Sequence, residues 1–187
     1  FDNISWITDL PVQALQRGNL DCIAGPTSWI QSFGMWDIAK HVLDAPLAIQ
    51  PTPSAMVINQ AVWKGLKRSE KSAILKHAPR LIANTTINGY MAEDKMVRSK
   101  APKSGITIVK AGNDILSTLK AHKAKEPAII AKVASKEGVK NPKAIIEAHL
   151  KNVAKWDKIQ SRIGNDVDKF AQALWDEVFS KLDPDKM

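Results

Sequence analysis

The chain has 187 residues, 44% of them hydrophobic and 25% charged, with 27 Lys+Arg against 19 Asp+Glu. That length buries a real core, and the composition excludes a disordered or fibrous chain. No apolar run approaches the roughly 20 residues a bilayer span needs, and the lone Cys22 rules out an internal disulfide and a cysteine zinc site.

The net charge of +8 is unevenly placed. Residues 1–60 hold two cations, Arg17 and Lys40, against Asp2, Asp9, Asp21, Asp37 and Asp44, a balance of −3 that leaves +11 for the rest. The chain opens Phe1-Asp2-Asn3-Ile4-Ser5-Trp6, with neither an initiator Met nor a signal-like n-region, as a processed or partial chain does.

Before residue 60 the predicted elements are short. Thr8 or Asp9 caps a helix with Pro11 in its first turn, and Gly18 closes it. The apolar run 20–24 reads as a buried strand, which makes Cys22 an inert buried thiol. Gly25-Pro26 ends it, and a helix begins through Thr27, Ser28 and Trp29 until Gly34 interrupts it. Residues 41–43 and 47–49 read as extended, Pro51 and Pro53 as breakers, and 54–58 as another strand.

Beyond residue 60 the pattern turns helical. A short helix covers 60–66, and Ser69 is placed to cap a longer one. Ile74, Leu75, Ala78, Leu81 and Ile82 recur at helical spacing there, the pattern continues to Val97, and Pro79 predicts a kink or break. A strand over 106–109 precedes helices at about 112–136, 142–163 and 166–182. The lysines of these last helices, among them Lys120, Lys132, Lys143 and Lys158, are spread around several faces. Solvated surface accounts for them better than a nucleic-acid footprint, which concentrates charge and favours Arg; residues 61–187 have only four Arg. No nucleic-acid partner is therefore expected. A Lys-rich helical module binding a polyanion or a protein partner stays as the alternative reading, separable by steeply salt-dependent retention on heparin.

Catalytic chemistry is poorly represented. His41, His77, His122 and His149 lie in separate segments without metal-ligand spacing, and no nucleophile elbow, Walker loop or dinucleotide motif occurs. The chain is not expected to be an enzyme, nor to carry a metal or cofactor. The best candidate site is the junction Gly25-Pro26-Thr27-Ser28-Trp29. Gly25 permits close approach of a backbone or ligand, and Pro26 at a helix start would leave the Thr27 and Ser28 N–H groups free for an anion. Trp29 is equally well a ligand wall or a core residue; Trp6 poses the same choice.

Several segments in order resemble a known family. Ala14-Leu15-Gln16-Arg17-Gly18-Asn19-Leu20-Asp21 resembles the ALQxGxxD signature of the DctP-type solute-binding proteins of tripartite (TRAP) transporters. Gly25-Pro26 falls at the family's strand-end turn, Met35-Trp36-Asp37-Ile38-Ala39-Lys40 resembles its acidic-aliphatic-Lys segment, and Asn59-Gln60-Ala61-Val62-Trp63-Lys64-Gly65-Leu66 its N-x-x-x-W-x-x-L helix start. The resemblance implies a helix-rich α/β chain with a partial periplasmic-binding-protein type II-like fold, one lobe plus long C-terminal helices. On that basis residues 1–58 form part of the second ligand-binding lobe with hinge strands, residues 59–187 the long-helix and C-terminal helical region, and the first lobe lies before Phe1. It also implies a periplasmic protein that captures a small organic anion and passes it to TRAP membrane permease subunits. The carboxylate-clamping Arg of the family lies upstream of the ALQxG helix. Supporting contacts carry over to Trp6, Thr8, Gly25, Pro26, Trp29 and Leu47. Thr8 stands where many members have an aromatic, Gly25 where many have Asn and Leu47 where some have His, departures that point to a more apolar or aromatic ligand.

Overall fold

The computed structural model describes residues 11–47 and 56–187. Two compact units divide it: 1–53 with 88–111, and 54–87 with 112–187.

The first unit begins with helix α1 (Pro11–Gln16). Gly18 terminates it at φ 71°, in the left-handed region. The Asn19 N–H donates to the Ala14 carbonyl at 2.8 Å and the Gly18 N–H to Leu15 at 3.2 Å, the paired bonds of a glycine helix stop. That arrangement explains why Gly and the preceding Ala-Leu-Gln occur together. Helix α2 (Trp29–Ser32) follows, then strand β1 (His41–Asp44). Later in the chain helix α5 (Ala92–Lys100) and strand β2 (Thr107–Lys110) complete the unit. The two strands pair in parallel, with Val42 opposite Ile108 and Asp44 opposite Lys110. The core joins Val12, Ile30, Met35, Val97, Ala101 and Ile106, with Trp29, Trp36, Val42 and Ile108 packed on its edge.

Two expected strands are absent among the described residues. Residues 20–24 carry no regular structure, and Cys22 is exposed, not buried. An apolar run of this length becomes a strand only if a ladder partner is at hand, and here β1 takes β2 as its partner. Residues 56–58 are likewise irregular, with Val57 82% exposed; the remainder of the 54–58 expectation, and Ala48 and Ile49 of the 47–49 segment, lie outside the described residues.

The second unit is helical. In helix α3 (Gln60–Gly65) the Asn59 side chain accepts the Ala61 N–H at 2.8 Å and Trp63 is buried. Helix α4 (Arg68–Asn84) starts one residue before the expected Ser69 cap. Glu70 explains the shift, because its carboxylate accepts the Lys67 N–H at 2.7 Å and closes the first turn from inside the helix. Pro79 does not break α4. It is buried within the helix, which runs on to Asn84 and into a π-helical segment (Thr85–Met91) before α5. Helices α6 (Asn113–Lys136) and α7 (Pro142–Ile163) follow where the apolar periodicity places them, whereas α8 (Val167–Glu177) stops short of the expected 182 and gives way to a 3-10 turn at Phe179–Lys181. Helix α8 packs along α4, with an Arg80–Asp168 ion pair between them. Trp156 of α7 meets Phe170 of α8 edge-on at 6.2 Å, and both rings stay half-exposed. Among the described residues no helix is long and apolar enough to cross a membrane.

Among the described residues three carboxyl groups are held below their ordinary range. Asp44 accepts from Arg98, Asp166 from the Lys169 backbone N–H, and Glu177 from Lys155 and then Lys181. A carboxylate whose folded pKa is depressed contributes stability that is complete above its unfolded value, about 4, and is lost as pH falls through the folded value. The urea midpoint is therefore expected to hold at neutral pH and to fall in acid. The combined variant Asp44→Asn, Asp166→Asn, Glu177→Gln should show a shallower acid limb; an unchanged limb would remove these groups from the account.

Candidate ligand site

Ligands of open α/β sheets bind beyond the carboxyl ends of parallel strands. Here those ends are Asp44 and Lys110. The Arg98 guanidinium of α5 donates to Asp44 Oδ1 at 3.0 Å, and that bond, with the nearby Asp44 charge, raises the Arg98 pKa and lowers that of Asp44. Leu43 and Val109 expose their side chains on the strands, at 48% and 47%, and Leu47 stands just past β1 at 49%. A tight three-residue turn, in which the Leu47 N–H donates to the Ala45 carbonyl at 2.8 Å, bends the chain there.

One helical turn before Arg98, Asp94 reaches a different element. Its Oδ1 accepts the Ser28 N–H at 2.5 Å, and Ser32 Oγ donates to the neighbouring Glu93 at 2.8 Å. The carboxylate thus takes up the positive end of the short α2 turn. The Ser28 N–H, expected to be free for an external anion, is consequently bonded inside the protein, and Ser28 is fully buried with its hydroxyl unpaired. The Asp94/Arg98 spacing on α5 therefore ties the α2 start to the strand ends. Neither residue stands out in the sequence, since their partners are 66 and 54 positions away. A one-turn acid–base pair was the sole local signal.

The junction itself is tightly packed. A Cβ on Gly25 would lie 2.4 Å from Trp29 Cε3 and 2.5 Å from Cζ3, so the close approach that Gly25 permits is made by the Trp29 ring. That ring is half-buried against the core cluster and tilts against Phe33 at 5.2 Å. Pro26 is half-buried beside it, and its carbonyl accepts the Trp29 N–H at 3.1 Å. The structure brings Gly25, Pro26 and Trp29 together and sets Leu47 at the strand end; Trp6 and Thr8 lie outside the described residues. Among the described residues no group of His, Cys, Asp or Glu is arranged to hold a metal.

No curated protein and no solved structure matches the chain. The family model described as bacterial extracellular solute-binding protein, family 7 (DctP), matches residues 12–133, roughly two thirds of the sequence. That match takes in α1 with its glycine stop, the Gly25–Trp29 junction, both strands and α5. The chain belongs to the DctP family of bacterial extracellular solute-binding proteins.

Proposed function

We propose that the chain serves a TRAP transporter in the periplasm, binding a small organic acid and passing it to the membrane permease. The family match carries this reading, because it spans the elements that form the strand ends and the α2 junction. The protein binds and releases its solute unchanged. Capture follows closure of two lobes around the ligand, which excludes water and strengthens charge-assisted contacts to the carboxylate.

The solute's apolar body lies against Leu47, Trp29 and Pro26, with Gly25 allowing the ring its position and Trp6 and Thr8 adding the remaining wall. Arg98 is a cation at the strand end; Asp44 holds it until a ligand carboxylate competes. Gly25 in place of Asn leaves no side-chain hydrogen bond at that turn, which favours an apolar or aromatic acid over a small dicarboxylate.

Thermal-shift screening of the chain against aryl and alkyl monocarboxylates, dicarboxylates and the matching neutral amides tests this. A ligand at a hundred times its Kd adds about 2.7 kcal/mol, a shift of several degrees. Apolar monocarboxylates are expected to raise the midpoint while their amides leave it in place. Stabilisation by small dicarboxylates alone would overturn the ligand class, and equal response to the amides, or to no acid, would overturn the anion-binding function.

A further inference from the structure

The second half of α6, the turn after it and the first turns of α7 carry aliphatic side chains that face water. Ile129 and Val133, one turn apart on α6, are 48% and 54% exposed, and Ile130 beside them 47%. Val139 in the turn is 42% exposed and Ile145 in the first turns of α7 is 55% exposed. The buried Ala131 lies on another side of α6, so this apolar strip is not the surface that packs within the unit. Water-facing aliphatics grouped on one hairpin offer a surface for contact.

Lysines surround the strip. Lys132 and Lys136 flank it on α6, Lys140 sits in the turn and Lys143 begins α7, all exposed and without an ion pair among the described residues. Four lysines face Glu137 and Glu147, so the tip is net positive. This composition discriminates between partners. Protein interfaces enrich Tyr, Trp and Arg and deplete Lys at their centres, and the tip has no aromatic and no Arg. Nucleic-acid surfaces favour Arg and stacking rings, also missing. Aliphatic side chains that enter the acyl boundary, with flexible lysines reaching back to phosphate headgroups, match an anionic bilayer surface.

We infer that the α6–α7 tip docks on anionic lipid, its Ile and Val side chains entering the interface and its lysines pairing with headgroup phosphates. The contact is peripheral, since the helices lack the apolar length to span. It is separate from solute binding and does not depend on it.

Flotation of the chain with vesicles of phosphatidylcholine alone, and of phosphatidylcholine mixed with phosphatidylglycerol, reads the contact. Binding is expected on the mixed vesicles only and to weaken as salt rises. The variant Lys132→Glu, Lys136→Glu, Lys140→Glu, Lys143→Glu is expected to bind at least a hundred-fold more weakly, at about five-fold per lysine removed. Ile129→Ser with Val133→Ser, exposed positions that leave the folded core untouched, lowers binding as well; circular dichroism confirms that both variants retain their helices. Absence of binding to the mixed vesicles overturns the inference. So does equal, salt-insensitive binding to both vesicle types, or a solution dimer that the Ile129 and Val133 changes dissociate.

Discussion

Replacing Ile106 by Ala is expected to destabilise the first unit by about 2–5 kcal/mol. Ile106 is 2% exposed and enters a cluster in which Val97 and Ala101, on α5 and the turn that follows it, are fully buried. Its backbone N–H is already committed to the Ala101 carbonyl at 3.0 Å, so the segment cannot slide inward to fill the space. The lost methyl groups leave a cavity with the transfer cost added to the missing contacts. The consequence reaches the strands, because a parallel pair of four-residue strands has little stability apart from what packs on it. Ile106 immediately precedes β2, and β2 supplies the partner for β1. Amide hydrogen exchange of Val42 and Asp44 should accelerate together with a fall in the urea midpoint. Val109→Ala on the exposed strand face is the control, expected within about 0.5 kcal/mol. If Ile106→Ala costs less than about 1 kcal/mol, or Val109→Ala costs as much, the core does not lie where the packing puts it.

The helices were the legible part of this chain, and the reason is length. Over α6 and α7 the apolar period repeats for several turns, so no competing reading fits, and the expected 112–136 and 142–163 agree with Asn113–Lys136 and Pro142–Ile163. The Gly18 stop was legible because it needs a residue tolerant of positive φ after a run of good helix formers. Residues 20–24 were misread for the opposite reason. A five-residue run, four of it apolar, has no period, and only a partner in space decides whether it becomes a strand. Lys67 and Ser69 show the same limit at a single position: both precede an apolar run, and the Glu70 side chain settled which residue starts the helix. The geometry of the candidate site was half legible. Gly25, Pro26 and Trp29 announce themselves as a turn and a ring, but Asp94 and Arg98 acquire their roles from partners far along the chain.

Gly25→Ala is expected to cost about 1–3 kcal/mol, a large figure for one added methyl. The backbone conformation at Gly25 does not demand glycine; the neighbour does. The methyl would meet the six-membered edge of the Trp29 indole at 2.4–2.5 Å, far inside van der Waals contact. The ring has little room to withdraw, since Phe33 stands at 5.2 Å and the core cluster lies behind it. Its backbone is fixed too: the preceding Ser28 is fully buried with its N–H bonded to Asp94. Gly65 supplies the comparison, because nothing lies within 4 Å of a Cβ there, and Gly65→Ala in the last residue of α3 should be neutral or stabilising by a few tenths of a kcal/mol. A double-mutant cycle isolates the cause. In a Trp29→Leu background, which removes the indole edge but keeps an apolar side chain, Gly25→Ala should cost less than about 0.5 kcal/mol, leaving a coupling energy on the order of 1–3 kcal/mol. Equal costs in both backgrounds would mean that the turn, not the ring, requires glycine. The same cycle separates packing from binding: a Gly25→Ala protein that remains folded but no longer gains stability from its acid would place the ligand against this ring.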